Sequence, residues 1–362
     1  MRESGEDRRR RILAVVEARS QARVTELAAE LAVSVITVRR DVEELARAGR
    51  LRRGHGVVRS LVPRRPEPAP PADDGGPVVL VVPERHAYLT EVLHGARGAL
   101  EEADVRVVLH PAPQVAGAER AIVERLLADD ARGVLVAPRW RSVVTEEADD
   151  GWLAAADVPV VLMERRPRPG SALHARDSVC TDHWYGVHLA VTHLLALGHR
   201  RIVLAARDDS PTARALRAAF TGICAERPEI EDATVVLSAP GAVADQEPVR
   251  DLEPLADVLL EHGATGVIMH GDVDALMLVQ QLADAGITVP GDCSVVAYDD
   301  VVAALASTPL TAIAPPKAEV GRLAAELLLE RLRGPAGRPA RRITVLPELK
   351  VRGSTRPLGI QR

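Results

Sequence analysis

The stretch VSVITVRRDVEEL, residues 33–45, sets two adjacent arginines inside an apolar pattern of helical period. Ser34 is suited to N-cap a helix. At 100° per residue, Val35, Val38, Val42 and Leu45 fall on one stripe that must face a core. Ile36, Thr37 and Arg40 then lie opposite it in the N-terminal half, with Arg39 at the flank. Glu43 and Glu44 also point outward, further along. Upstream, Ile12, Leu13 and Val16 mark a helix over about residues 8–19, and Leu27 and Leu31 mark a second over about 25–32. Val33 is the short turn before the third helix, which Gly49 ends. LRRGHGVVRS, residues 51–60, adds two short strand-like runs around glycines, a small wing.

Helix, turn, helix and wing, with arginines on the free face, suit insertion of the third helix into a DNA groove. Arg40 projects to where a guanine edge is read bidentately, and Arg39 reaches a phosphate. Thr37 serves either contact and Ile36 meets a thymine methyl, while the helix N-terminus adds attraction for phosphate. The alternative is a solvated helix on which the two arginines pair with Asp41, Glu43 or Glu44. The charge distribution favours the first reading. The chain's net charge is −5, but residues 1–65 hold 16 Arg against 9 Asp and Glu, a net of +7, leaving −12 for the rest. A basic head on an acidic body is the pattern of a nucleic-acid binder with a separate partner domain. Residues 26–58, ELAAELAVSVITVRRDVEELARAGRLRRGHGVV, resemble the winged helix-turn-helix of DeoR-type repressors, in which a serine-started recognition helix ending in T-x-R-R-D leads to a basic wing with H-G. The resemblance implies DNA contacts from Ser34, Thr37, Arg39 and Arg40, and wing contacts from Arg52, Arg53 and His55. His55, beside two glycines, is equally suited to capping the turn.

PRRPEPAPPADDGGP, residues 63–77, has six prolines and no apolar periodicity. It reads as a linker, partly extended through its prolines. Beyond it, VVLVV (78–82), VRVVL (105–109), GVLVA (133–137), VPVVL (158–162), RIVLA (201–205), TVVLS (234–238), GVIMH (266–270) and CSVVAY (293–298) alternate with amphipathic stretches. Nearly continuous apolar strands separated by helices imply parallel sheets covered on both faces. Eight of them in about 220 residues imply two α/β lobes rather than one.

Four segments of this body resemble the sugar-responsive LacI/GalR repressors, which share the type I periplasmic-binding-protein fold. They are VCTDHWYGVHLAVTHLLALGHRRIVLA (179–205), HGDVDALMLVQQLADAGITVPGDCSVVAYDD (270–300), TPLTAIAPPKAEVGRLAAELLLERL (308–332) and LPELKVRGST (346–355). The fold expected is thus an α/β, two-lobed periplasmic-binding-protein-like body behind a winged helix-turn-helix. Its domains are 1–62 (head), 63–77 (linker) and 78–356 (sensor), with 357–362 as tail. Lobe 1 is expected at about 78–165 and 308–334, and lobe 2 at about 176–305 and 341–356. Against the family pattern, Ala297 and Phe220 replace glycine, Gly271 replaces asparagine, and Pro315 stands where a polar residue often faces the pocket. The Pro-rich linker replaces the short hinge helix, so readout must rest on the winged heads and on how the body spaces them.

In open parallel sheets the ligand lies outside the carboxyl ends of the strands, where Asp272, Asp299, Glu164 and Arg165 fall. A sugar needs multidentate polar side chains for its hydroxyls and aromatic rings for its C–H faces. The scarce aromatics Tyr88, Trp140, Trp184, Tyr185 and Tyr298 fall at or near such strand ends. The resemblance implies that Tyr88 stacks on the ligand, that Arg217 and Asp272 clamp hydroxyls and that Asp299 assists. Asp182 is expected to hold the lobe crossover, and His199 and Arg200 to be structural. The ligand-contact set is Tyr88, Trp140, Arg165, Trp184, Arg217, Asp272 and Asp299, with helix capping the alternative role for any carboxylate at a strand end.

No GxxxxGK[ST], HExxH, GxSxG or GxGxxG after a strand is present. Cys180, Cys224 and Cys293 form no CxxC pair or zinc-caging His spacing, so no metal and no cofactor is expected. The N-terminus has no apolar h-region and no run approaches the roughly 18 apolar residues of a spanning helix, which implies a cytoplasmic protein. The function expected is a ligand-responsive repressor, a homodimer on double-stranded operator DNA, with a sugar or a related polyol or nucleoside as effector. The alternatives are a sugar- or nucleoside-handling enzyme fused to a DNA anchor, and an effector-independent DNA-binding protein.

Overall fold

The computed structural model describes residues 8–9, 11–13, 15–16, 21–31, 33–48, 50–54, 57–60, 75–84, 87–113, 115, 117–238, 254–335 and 337–359. Most of the expected linker, residues 63–74, lies outside these. The chain divides into two compact units, Met1–Asp74 and Gly75–Arg362.

In the first unit, helical residues 8–9, 11–13 and 15–16 bring Ile12, Leu13 and Val16 against Leu27, Leu31, Val38, Val42 and Leu45. The last five come from or adjoin helices Val24–Glu30 and Val35–Arg47. Three of the four residues expected on the core stripe of the third helix are buried, and Val35 packs at its edge. A strand absent from the sequence reading, Gln21–Arg23, joins the wing. It pairs antiparallel with Val57–Ser60, which pairs with Leu51–Arg53. Three residues carry no detectable alternation; the strand forms because Ala22 packs opposite Val58, both buried.

The second unit holds two six-stranded sheets. The first has the order Arg342–Val345, Asp177–Thr181, Val160–Met163, Gly133–Val136, Val78–Pro83, Val107–Ala112. The second has the order Asp232–Val236, Arg201–Ala205, Gly266–Met269, Ser294–Tyr298, Thr311–Ala314, Glu348–Lys350. All pairings are parallel except that of Glu348–Lys350, which runs antiparallel to Thr311–Ala314. All six residues of Val78–Pro83 are buried, as a strand covered on both faces requires.

Three strands change lobe relative to the sequence reading. Asp177–Thr181 and Arg342–Val345 belong to lobe 1, and Thr311–Ala314 belongs to lobe 2. Apolar strands look alike in sequence, and only pairing assigns them: Leu162 opposite Ser178, Val179 opposite Ile343, Tyr298 opposite Ile313. The chain therefore crosses between lobes after Thr181, after Ala314 and after Val345. Helix Lys317–Arg333, the second crossing's product, packs in lobe 1 as expected, against helix Ala87–Glu102.

Those two helices meet through glycines. A Cβ on Gly321 would lie 1.8 Å from the Val92 carbonyl oxygen, and one on Gly95 would lie 1.9 Å from that of Ala318. Replacing a helical glycine with alanine ordinarily gains up to about 1 kcal/mol of helix propensity. Here backbone atoms would have to separate, so Gly321→Ala is expected to lower the stability of this unit by about 1–3 kcal/mol. Tryptophan fluorescence checks this cleanly, because all three tryptophans, 140, 152 and 184, lie in the second unit.

Candidate functional site

The exposed face of helix Val35–Arg47 is the first site. Ser34 caps it, its hydroxyl accepting from the Thr37 amide at 3.1 Å and lying 2.8 Å from the Thr37 hydroxyl. Thr37 is thereby held at the helix start. Ile36 is 78% exposed, and Arg39 and Arg40 are exposed beside it. Among the described residues no carboxylate pairs with either arginine. Asp41 instead turns inward, buried, and accepts from Arg8 Nε at 2.6 Å, with Arg9 3.7 Å away; Arg9 also pairs with Glu44 at 2.5 Å. Two of the acids that could have neutralised Arg39 and Arg40, Asp41 and Glu44, are thus occupied from the first helix. Arg52 and Arg53 lie in the wing strand Leu51–Arg53; their side chains, and His55 altogether, lie outside the described residues.

The second site is a cleft of about 530 Å³ in the second unit, walled by the carboxyl ends of strands from both lobes. Lobe 1 contributes Glu84, Tyr88, Arg139, Arg141, Glu164 and Arg165; lobe 2 contributes Arg207, Asp209, Ser210, Thr212, His270, Asp272, Asp274 and Asp299. Of the seven expected ligand contacts, the structure brings four together here: Tyr88, Arg165, Asp272 and Asp299. The Tyr88 hydroxyl donates to Glu164 Oε1 at 2.8 Å, and the Lys317 ammonium lies 5.6 Å from the centre of its ring. Arg165 is buried and donates to the carbonyls of Pro138 and Glu164; burial brings its guanidinium down to about 10. Asp272, 1% exposed at the start of helix Asp272–Asp284, accepts through one oxygen from the amides of Val302 at 2.5 Å and Ala303 at 2.8 Å.

Three expected contacts do not line the cleft. Trp140 is buried in the lobe 1 core and donates from its indole to Asp149 at 2.9 Å. Its neighbours Arg139 and Arg141 face the cleft, because Trp140 adopts φ +37° at the turn and points the other way. Trp184 is half-exposed in a separate shallow groove with Arg166, Asp182, Tyr185 and His188. Its ring covers Gly222, where a Cβ would come within 2.5 Å. Arg217 lies on helix Pro211–Ala225 and donates to the Ala206 carbonyl at 3.3 Å, behind the cleft wall. The cleft-lining arginine of this region is Arg207, paired with Asp209 at 2.9 Å and Asp274 at 3.5 Å. Applying the strand-end rule to RIVLA would have found Arg207 and Asp209, and applying it past GVLVA would have found Arg139 and Arg141. The preference for aromatics obscured them. As expected, Asp182 sits at the first crossing, capping helix His183–Ala196 through the Tyr185 amide. His199 is buried between Thr265 and the Arg356 carbonyl.

A DeoR-like helix-turn-helix domain matches residues 8–64, and a periplasmic binding protein-like domain matches residues 191–355. The arabinose metabolism transcriptional repressor of Geobacillus stearothermophilus is 26% identical over 342 residues, 92% of this chain and 90% of that one. The PurR repressor of Vibrio atlanticus is 27% identical over 70% of this chain and 74% of its own. A LacI family transcriptional regulator from Mycobacterium smegmatis superposes with a TM-score of 0.59 at 25% identity, over 77% of this chain and 99% of its own. The chain thus joins a DeoR-like helix-turn-helix head to a periplasmic binding protein-like body. A LacI family transcriptional regulator from Enterococcus faecium, solved with bound ribose, shares the fold at a TM-score of 0.62 and 23% identity, over 78% of this chain and all of its own.

The cleft carries an unusual acid. Asp299 has φ +88°, in the left-handed region, directly after strand Ser294–Tyr298. Withdrawal from water, and next the Asp272 carboxylate, push its carboxyl up to about 7; Lys317 opposes this, and Glu164 and Asp274 add to it. A carboxyl that holds its proton more tightly folded than unfolded costs stability as pH rises from the ordinary carboxylate range to about 7, and the whole cost is present above that. Asp299→Asn removes the cost. It is expected to stabilise the body at pH 8 by about 1–2 kcal/mol, allowing for its partial exposure, and to give no gain near pH 4. Urea midpoints at the two pH values check this.

Proposed function

We propose that this regulator is a cytoplasmic repressor that binds a two-fold operator as a homodimer and releases or recruits it according to a polyhydroxylated effector held between the lobes. The observation that carries the reading is the pairing, in one chain, of two exposed arginines that have no carboxylate partner among the described residues, on a capped helix, and a polar two-lobed cleft. Ser34, Ile36, Thr37, Arg39 and Arg40 supply the DNA contacts, with Arg52, Arg53 and His55 on the wing. Tyr88 supplies an aromatic surface in the cleft, and Arg139, Arg141, Arg165, Arg207, Asp272 and Asp299 supply the fixed donors and acceptors that a polyol's hydroxyls require. A sugar fits this chemistry, and a volume of about 530 Å³ lies within the range of small-molecule sites.

The effector acts by differential affinity. It shifts operator binding only to the extent that it binds one lobe arrangement better than the other. The three crossings are where that arrangement changes. In this reading the effector is bound and released unchanged. The test is footprinting of full-length protein on its upstream DNA with a panel of pentoses, hexoses and nucleosides. A protected two-fold site whose occupancy moves with one of these compounds supports the reading; protection indifferent to all of them, or chemical conversion of the active compound, overturns it.

A further inference from the structure

Directly behind the cleft, at the first crossing, three side chains of ligating type converge. Glu164 follows strand Val160–Met163, Cys180 lies in strand Asp177–Thr181, and His183 opens helix His183–Ala196 of the other lobe. All three are buried. Cys180 Sγ lies 3.7 Å from Glu164 Oε2 and 4.0 Å from His183 Nε2, and Nε2 lies 3.8 Å from Oε2. We propose that Glu164, Cys180 and His183 form a binding site for a zinc-class divalent cation that bridges the two lobes.

The geometry argues for it in two ways. First, the three atoms form a nearly equilateral triangle whose sides are too long for strong hydrogen bonds, which close to about 2.7–3.2 Å. Zinc bound by sulfur at about 2.3 Å and by nitrogen and oxygen at about 2.0–2.2 Å gives ligand-to-ligand edges of about 3.4–3.6 Å in a tetrahedron. Closing by a few tenths of an ångström would reach it. Second, two of the three ligands, His183 and Glu164, are already oriented from outside, as metal ligands are. The Tyr298 hydroxyl lies 3.1 Å from His183 Nδ1, leaving Nε2 for the centre. Glu164 Oε1 accepts from Tyr88 at 2.8 Å and from the Thr181 hydroxyl at 2.7 Å, leaving Oε2, which also receives the Thr181 amide at 3.3 Å. Gly186 makes room for this support, since a Cβ there would lie 2.4 Å from the Tyr298 oxygen.

Charge agrees with geometry. Among the described residues, His183 is the only basic side chain within 4.0 Å of the Glu164 carboxylate. Arg165, next in the chain, turns onto carbonyls instead. A carboxylate and a thiolate together balance a divalent ion, and a thiolate with an imidazole selects the softer divalent metals over magnesium or calcium. The fourth position is left for water or an effector oxygen, for Glu164 also lines the cleft. The local Cys180-x-x-His183 spacing supplies only two ligands and the third comes from another strand, so the sequence shows half the site.

The test is titration of untagged, chelator-treated full-length protein with cobalt(II), followed by zinc(II). One equivalent of cobalt is expected to produce a thiolate-to-cobalt charge-transfer band with tetrahedral visible absorption, and zinc is expected to abolish both. Cys180→Ser should remove the charge-transfer band, while the double variant Cys224→Ser, Cys293→Ser should keep it. Tyr298→Phe, which retains all three ligands, should weaken zinc binding about 10–100-fold. The proposal fails if the wild-type protein gives no thiolate-to-cobalt band, a result that needs no variant to fold. It fails equally if the band survives Cys180→Ser or is lost from the folded double variant.

Discussion

Asp272→Ala is expected to lower the stability of the sensor body by about 2–4 kcal/mol and to abolish the effector's influence on operator binding. The Asp272 side chain is buried, and one of its oxygens receives the amides of Val302 and Ala303, tying the start of helix Asp272–Asp284 to the turn that follows strand Ser294–Tyr298. Alanine leaves both donors without an acceptor where water is scarce, and an unmet buried donor costs about 1–3 kcal/mol. Asp272→Asn separates this structural share from the ligand-binding one. Its amide oxygen still accepts both bonds, so most of the stability is expected to return while effector affinity stays low. Urea unfolding read by tryptophan fluorescence measures the first quantity, and effector titration of the operator complex measures the second. If Asp272→Asn responds to the effector like the wild type, the carboxylate is a cap alone.

Arg40→Ala is expected to weaken operator binding by about 1–3 kcal/mol and to relax preference at one base position in each half-site. The arginine is exposed, has no carboxylate partner among the described residues, and lies on the first two turns of a helix whose start Ser34 and Thr37 hold rigid. Arg39→Ala, on the flank, should weaken all sequences alike and reduce the salt dependence of binding. Binding isotherms on operator and on scrambled DNA at two salt concentrations tell the two apart. Equal losses on both DNAs for Arg40→Ala would remove it from base reading. Neither variant should alter thermal stability, since the internal charge partners of this helix are Asp41 and Glu44 with Arg8 and Arg9.

Much of the architecture was legible because it follows from local rules. The serine cap, the Val38, Val42 and Leu45 stripe and the outward arginines depend on a 3.6-residue period, and the apolar strands announce parallel sheets by composition. Asp41 shows the limit. Period alone places it beside Arg40 on the helix surface, and only the first helix, carrying Arg8, makes it a buried acid. The cleft divides in the same way. Strand ends led to Arg165, Asp272 and Asp299, which line the cleft; the scarcity of aromatics near strand ends led to Tyr88, which does, and to Trp140 and Trp184, which do not, and motif position led to Arg217.

Eight of the body's strands, the helices of the head, the order of a basic head before an acidic two-lobed body, and the polar residues at strand ends all followed from local pattern and composition. Tertiary structure alone decided which lobe owns strands Asp177–Thr181, Thr311–Ala314 and Arg342–Val345, because lobe membership is a matter of pairing register and every apolar strand offers the same ladder. It also decided that Arg139 and Arg141, rather than the tryptophan between them, face the cleft, and that Glu164 meets Cys180 and His183. Such choices depend on turn dihedrals and on contacts between residues far apart in the chain, which no local period encodes.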